Sequence, residues 1–128
     1  EGTETVLVVE DEPIIRRLTA RMLGEAGYRV LVAGDGEEGL RAVETEPGAI
    51  HLLLTDVIMP RMGGKELAHR AALLRPDIKV LFVSGCTDGA IGTKGILEPG
   101  INFLQKPFSP AALVKKVRNI LDGEENSA

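Results

Sequence analysis

The sequence predicts an α/β protein in which helices cover both faces of a parallel sheet. Five short apolar runs have the length of strands, and most of them are separated by helical patterns of apolar residues. The runs are apolar throughout instead of alternating, which is typical of strands buried on both faces. Short polar segments connect strands and helices, as in βαβ units.

The strands are bounded by acidic, glycine-rich or proline-containing segments. The third run is the clearest, because Leu-Leu-Leu-Thr leads directly into Asp56 and Pro60 then ends regular structure. The predicted strands are residues 6–9, 28–33, the run from Leu52 to Asp56, 80–83 and 102–105.

Helix start and stop signals lie between these strands. Pro13 and Pro110 stand at first-turn positions, Ser109 precedes Pro110 as an N-cap, and Gly27 ends the first helix. The second helix follows Gly34-Asp35-Gly36, and the third follows Met62-Gly63-Gly64. The predicted apolar faces are Ile15, Leu18, Met22 and Ala26 in the first helix, Leu67, Ala71 and Leu74 in the third, and Leu113, Val117, Ile120 and Leu121 in the last.

Five strands with about five helices favour the flavodoxin-like, doubly wound sheet in the order 2-1-3-4-5. Residues 6–121 form the predicted domain, after a polar lead-in over residues 1–5 and before an acidic, disordered tail over residues 122–128. The segment 86–100 is rich in glycine, so a helix there is expected to be short or frayed.

Composition narrows the functional class. The chain has 128 residues and a net charge of −4, which disfavours a nucleic-acid or anionic-membrane surface. No apolar run approaches the roughly 18 residues of a membrane span. The single cysteine, Cys86, excludes an internal disulfide and fits a reducing compartment. The chain begins with Glu1 instead of Met, which suggests a fragment of a longer protein.

Polar side chains follow four strands that are neighbours in the predicted order. They are Glu10 and Asp11 after the first strand, Asp56 after the third, Ser84 after the fourth and Lys106 after the fifth. Because the carboxyl ends of parallel strands meet at one edge, these groups are expected to converge. Three clustered carboxylates repel one another unless a cation joins them, and oxygen ligands suit Mg²⁺.

Such a site suits phosphoryl transfer to a carboxylate. Asp56 is the candidate nucleophile and would form an acyl phosphate. The metal and Lys106 would stabilise charge on the transferred oxygens, and Ser84 would donate a hydrogen bond to one of them. With the metal and Lys106 present, the three carboxylates are neutralised.

At these residues the chain resembles a receiver domain of a two-component response regulator, over nearly its full length. The matching motifs are Val-Val-Glu-Asp-Glu-Pro, Thr-Asp-Val-Ile-Met-Pro, Val-Ser-Gly and Phe-Leu-Gln-Lys-Pro-Phe. The resemblance implies that a histidine kinase or a histidine phosphotransfer domain is the phosphoryl donor and that Mg²⁺ is the cofactor. It also implies that phosphorylation switches the conformation of the domain for an effector that the sequence does not identify. The implied roles are phosphoacceptor for Asp56, metal ligands for Asp11, Glu10 (through water), Asp56 and the Ile58 carbonyl, phosphoryl contact for Lys106, and switch residues for Ser84 and Phe103.

Further motifs are similar to receivers attached to hybrid sensor kinases. They are Ser-Gly-Cys-Thr-Asp-Gly, Leu97-Glu98-Pro99-Gly100 and the Gly-Thr-Glu-Thr lead-in. The resemblance implies a cytoplasmic location, alone or as part of a membrane sensor kinase. As an enzyme, the domain itself would do no more than phosphorylate itself from small donors and dephosphorylate itself.

Two other functions remain as alternatives. A phosphatase of the dehalogenase type also uses an aspartate nucleophile, but it needs a second Asp two residues later, where Ile58 stands. A receiver that has lost its chemistry would act only as a protein-interaction module. The Gly34-Asp35-Gly36-Glu37-Glu38-Gly39 segment matches a dinucleotide-binding pattern, but its acidic residues would repel a pyrophosphate. His51 and His69 lack metal-ligand spacing, and Cys86 lacks the partners of a nucleophile.

Overall fold

The computed structural model describes residues 3–84 and 102–123. Five parallel strands form one sheet in the order β2-β1-β3-β4-β5, which confirms the predicted topology. The strands are β1 (Thr5–Val9), β2 (Arg29–Ala33), β3 (Leu52–Asp56), β4 (Lys79–Ser84) and β5 (Phe103–Gln105). Each predicted strand is present, and its bounds differ from the prediction by no more than one residue at either end.

Four helices lie in the described part of the chain and cover the sheet on both faces. They are α1 (Pro13–Glu25), α2 (Gly36–Thr45), α3 (Gly64–Leu74) and α4 (Pro110–Leu121). Helices α1 and α4 pack on one face, where Leu23 and Val117 meet Val6 and Val8 of β1. Helices α2 and α3 pack on the other face, against Leu7 and Val9. Successive side chains of β1 thus enter opposite core layers, which explains why the strand is apolar throughout.

Strand β3 lies at the centre of the sheet, between β1 and β4, and all five of its residues are buried. In the register, Thr55 pairs with Val9 and Asp56 pairs with Val83. The carboxyl ends of β1, β3 and β4 therefore lie side by side. The residues that follow these strands share one edge of the sheet.

The predicted apolar faces of two helices need correction. Leu18 in α1 and Leu74 in α3 are exposed, although both were expected to face the core. In α1 the residues that are fully buried are Thr19 and Leu23, so the buried stripe is rotated by about one residue. The apolar pattern identified the helix, but its rotation is decided by the sheet against which it packs.

The glycines of the Gly34–Gly39 pattern serve close packing. A Cβ at Gly36 would lie 2.7 Å from the carbonyl oxygen of Met62, and one at Gly39 would lie 2.9 Å from Val9 Cγ2. Asp35 caps the start of α2 by accepting a hydrogen bond from the Glu38 backbone N–H at 2.8 Å. This arrangement agrees with the expectation that the segment is a helix start and not a nucleotide-binding loop.

Several expectations fall outside the described residues. These are the short helix within residues 86–100, the environment of Cys86 and most of the acidic tail. None of the helices that the structure does describe has the length and apolarity needed to cross a membrane.

Candidate functional site

Three carboxylates meet at the carboxyl edge of the sheet. Glu10 and Asp11 follow β1, and Asp56 ends β3. One oxygen from each of these side chains lies within 4.8 Å of the others. Glu10 is 2% exposed and Asp56 4%, whereas Asp11 is exposed. The predicted convergence of these residues is therefore observed, with two acids buried and one open to solvent.

Lys106 contacts both buried acids. Its Nζ lies 2.8 Å from Asp56 Oδ1 and 2.9 Å from Glu10 Oε1. The backbone N–H of Lys106 donates to the Ser84 carbonyl at 2.7 Å, which fixes the end of β5 beside β4. The lysine therefore reaches the acids from a position held by the sheet. One ammonium group faces three carboxylates, so the cluster stays negatively charged when all three are ionised.

Burial and repulsion alter the protonation of this cluster. Burial, followed by the nearby Glu10, raises the pKa of Asp56 to about 8, and Lys106 only partly opposes this effect. Burial disfavours the charged form of Lys106, but contacts with Asp56 and Glu10 outweigh it and raise the lysine pKa. The lysine therefore remains a cation, and the aspartate carboxylate needs further positive charge to be stable at neutral pH.

The donor set fits a divalent cation. Asp56 Oδ1 is buried, and it shares the Lys106 ammonium group with Glu10 Oε1. Two buried carboxylates beside one ammonium group retain uncompensated negative charge, and a coordinated cation would offset it. Glu10, Asp11 and Asp56 are the residues that could hold the ion, and hard oxygen donors suit Mg²⁺.

The other predicted site residues lie around this cluster. Ser84 ends β4 and is buried, one residue beyond the partner of Asp56 in the register. Phe103 begins β5, pairs with Phe82 and is partly buried. Ile58 lies in the loop after β3, and its side chain is 50% exposed. Ser84 and Ile58 thus lie at the carboxyl edge of the sheet, whereas Phe103 lies two residues before the end of β5.

Two residues near the site were not predicted. Arg16 Nη1 donates to the Glu10 carbonyl at 2.8 Å, and Thr55 Oγ1 donates to the Asp56 carbonyl at 3.0 Å. Both fix the backbone that carries an acid. Arg16 lies one turn after the start of α1, so the helix register could have indicated that it faces back toward Glu10. Thr55 gives no comparable signal, because any strand residue next to Asp56 would look the same in sequence.

The sheet order defines a doubly wound α/β domain. Its site is acidic and centred on a buried aspartate, with two further acids and a lysine beside it. The sequence model of the family described as "Response regulator receiver domain" matches residues 6–118. The chain belongs to this family, which makes it a receiver domain of a two-component signalling system. Receiver domains work in general with histidine kinases.

Similar proteins agree on the family and differ in length. The chain is 36% identical over 124 residues to the sensor kinase CckA of Brucella abortus, covering 97% of this chain but 13% of that protein. It is 34% identical over 116 residues to the response regulator receiver protein CpdR of the same organism, covering 91% of this chain and 95% of that one. Among the first relatives, therefore, one is far longer than this chain and one has nearly its length.

Solved structures show the same fold. The receiver domain of the hybrid histidine kinase CckA is 38% identical, with a TM-score of 0.76 and coverage of 91% of this chain and 98% of that one. A receiver domain protein from Clostridium thermocellum reaches a TM-score of 0.82 at 24% identity, covering 98% and 99%. The second likeness concerns the fold alone.

Proposed function

We propose that this domain accepts a phosphoryl group from a phosphohistidine of a histidine kinase or histidine phosphotransfer domain onto the carboxylate of Asp56. The observation that carries the proposal is the buried Asp56 with Lys106 Nζ at 2.8 Å and two further acids beside it. A lysine at this distance can accompany a phosphoryl group on the same carboxylate. The acids supply the ligands that a Mg²⁺-dependent transfer requires.

In the proposed step, an oxygen of Asp56 attacks phosphorus while the phosphorus–nitrogen bond to the donor imidazole breaks. The electron pair of that bond returns to the imidazole nitrogen, which takes a proton from solvent, and an acyl phosphate remains on Asp56. Lys106 stabilises negative charge on the transferred oxygens. Asp11, Asp56 and the Ile58 carbonyl would hold Mg²⁺, with Glu10 acting through water, and the ion would neutralise charge on the same oxygens.

Phosphorylation replaces a carboxylate of charge −1 with a group of charge about −2 and several acceptor oxygens. Lys106 would remain paired with this group, and Ser84, buried one residue beyond the register partner of Asp56, would donate to it. Movement of Ser84 leaves space at the sheet edge, and we propose that Phe103 at the start of β5 follows inward. The domain would thus be biased between two packings of the same edge.

The proposal is tested by incubating the domain with Mg²⁺ and a small phosphoryl donor, acetyl phosphate or phosphoramidate, and measuring the intact mass. Phosphoramidate is informative because its phosphorus–nitrogen bond resembles that of phosphohistidine. We expect a single phosphoryl adduct that disappears in Asp56→Asn and when the metal is chelated. Asp77→Asn, at an exposed aspartate in the turn before β4, is the matched control and should keep the adduct.

The results separate the alternatives. A wild type without any adduct refutes the proposal and favours a pure interaction module. An undiminished adduct in Asp56→Asn refutes Asp56 as the phosphoacceptor. Turnover of phosphomonoesters would favour the phosphatase, although Ile58 occupies the position where that chemistry needs a second aspartate.

We also propose two alternative protein contexts for this domain. Similarity to CckA, a far longer sensor kinase, supports a receiver carried by a hybrid histidine kinase in the cytoplasm. Similarity to CpdR over nearly its whole length supports a receiver that acts alone. For the domain itself we retain the boundaries 6–121.

A further inference from the structure

The loop between β3 and α3, residues 57–63, carries the carbonyl proposed as a metal ligand. Its two ends are held by the backbone, because the Val57 N–H donates to Val83 at 3.1 Å and the Gly64 N–H donates to Val57 at 2.8 Å. Between them, Met59 and Met62 are buried in the core layer under α2 and α3. Ile58 lies between the fixed Val57 and the buried Met59, so its carbonyl position depends on the whole loop.

Arg61 gives this loop its shape. Alone among the non-glycine residues that the structure describes, it has a positive φ, of 68°. This left-handed conformation reverses the chain between Pro60 and Met62, and it brings the Met62 N–H to 2.7 Å from the Pro60 carbonyl. A positive φ is energetically unfavourable for an arginine. Contacts of its side chain, or packing of the rest of the loop, must therefore stabilise this backbone conformation.

The side chain of Arg61 reaches the start of α2. Its Nη2 lies 3.0 Å from Asp35 Oδ2, and its Nε lies 3.8 Å from Glu37 Oε1. Asp35 Oδ1 accepts the hydrogen bond that caps α2, so one oxygen of this carboxylate caps the helix and the other pairs with Arg61. The backbone at Met62 lies against Gly36, where no Cβ would fit. The loop is thus attached to α2 by a charge pair on its outside and by close packing beneath it.

We propose that Arg61 is a positioning residue for the divalent cation site, acting through its ion pair with Asp35. By tying the outer turn of the loop to α2, the pair restricts the backbone that presents the Ile58 carbonyl. The inference rests on the proposed function, in which that carbonyl binds Mg²⁺. Neither Arg61 nor Asp35 touches the metal in this scheme, and both lie outside the acidic cluster.

The test is a titration of the isotope-labelled domain with MgCl₂ alone, followed by amide NMR shifts, since the chain contains no Trp for fluorescence. An exposed ion pair contributes modestly, so we expect Arg61→Ala to raise the Mg²⁺ dissociation constant roughly two- to fivefold. Asp35→Asn keeps a good N-cap but removes the charge, and it should give a similar rise. Arg61→Lys should recover part of the affinity.

Arg70→Ala is the matched control, because Arg70 forms an ion pair of similar exposure with Glu66 on α3, at 2.8 Å. It should leave the dissociation constant unchanged. Arg61→Gly separates the side chain from the backbone: the proposal expects affinity to fall as in Arg61→Ala, although glycine accepts the positive φ.

Hydrogen exchange of the metal-free protein provides a second measurement. We expect the Gly64 amide to exchange faster in Arg61→Ala and Asp35→Asn than in the wild type or in Arg70→Ala. If the wild type binds Mg²⁺ and the two variants bind it equally well, or if Arg61→Gly binds it as tightly as the wild type, the inference is wrong while the proposed function stands. A wild type that shows no Mg²⁺-dependent shifts overturns both.

Discussion

Asp56 is a buried acid held in a site that disfavours its own charge. Burial and Glu10 raise its pKa to about 8, whereas its ordinary value is 3.8. The metal-free folded state therefore binds more protons at this site than the unfolded state does between these two values. Linkage then requires stability to fall as the pH rises through this interval.

We accordingly expect the chelator-treated domain to lose stability between about pH 4 and pH 8. Asp56→Asn, which removes the charge but keeps the size, should be more stable than the wild type at pH 8 and should show a smaller dependence over this interval. Urea unfolding at several pH values measures both. A pH dependence of equal size in the wild type and in Asp56→Asn would show that Asp56 is not its source.

Glu4 and Glu46 have the opposite effect in acid. Arginine contacts lower their pKa from 4.5, so the stability that these ion pairs contribute is lost as the pH falls below that value.

Ile58 illustrates how a functional position can tolerate substitution. Its proposed role belongs to the backbone carbonyl, and its side chain is half exposed. We expect Ile58→Ala and Ile58→Asn to keep Mg²⁺ binding and phosphorylation and to change stability by no more than about 0.5 kcal/mol. Titration with MgCl₂ and intact mass after acetyl phosphate treatment check this. Loss of Mg²⁺ binding in Ile58→Asn would contradict the assignment of the carbonyl.

At the scale of elements, helix α2 depends on a neighbour for its C-terminal end. Arg75, which follows α3, donates from Nε to Val43 at 2.9 Å, from Nη1 to Gly48 at 2.9 Å and from Nη2 to Glu46 at 2.6 Å, in each case to the backbone carbonyl. The last carbonyls of a helix have no partner within it. One side chain thus satisfies three backbone acceptors and joins α2 to α3.

Replacement of Arg75 by Ala should therefore destabilise the domain by about 1–3 kcal/mol, because charged hydrogen bonds to carbonyls are lost. Arg75→Lys should recover little, since a single ammonium group lacks the planar, five-donor geometry of guanidinium. Urea unfolding measures the difference, with exposed Lys65→Ala as the control. If the lysine variant were as stable as the wild type, the three-way contact would not be important.

At the scale of the whole molecule, Arg118 connects the beginning of the described chain to its last helix. Its Nη2 lies 2.8 Å from Glu4 Oε2, its Nε lies 3.1 Å from Asp122 Oδ1, and its Nη1 donates to the Tyr28 hydroxyl at 3.2 Å. The guanidinium also lies 5.9 Å from the centre of the Tyr28 ring. The contacts join the lead-in before β1, the start of β2 and the end of α4.

We expect Arg118→Ala to cost about 1 kcal/mol, because the partners are partly exposed and solvent screens the pairs. In a double-mutant cycle with Glu4→Gln at pH 7, the double variant should lose less stability than the sum of the two single variants, because the shared ion pair is lost only once. Since Arg118 lowers the pKa of Glu4, the coupling should vanish in acid, where Glu4 is protonated. Lys115→Ala, on an exposed face of α4, is the control. Strictly additive effects at pH 7 would show that the pair does not act as a unit.

Sequence patterns predicted much of this protein because the relevant rules are local. Apolar runs of strand length, proline at helix starts and polar residues at strand ends gave the topology and the convergence of Glu10, Asp11, Asp56 and Lys106. The rotation of α1 was misjudged at Leu18, since an apolar residue next to the buried stripe has the same pattern as one within it. The chemical roles of Ser84, Phe103 and Ile58 remain predictions.

By itself, the sequence determined the α/β class and the polar side chains that follow the strands, because apolar runs of strand length and the residues that end them are local signals. The number of alternating strands and helices favoured the sheet order. Only the tertiary structure decided that Lys106 contacts both buried acids, that Arg61 adopts a left-handed conformation beside Asp35 and that Arg75 caps α2. These contacts join residues far apart in the chain. They depend on distances of a few ångströms that no local pattern specifies, and packing of the helices on the sheet sets them.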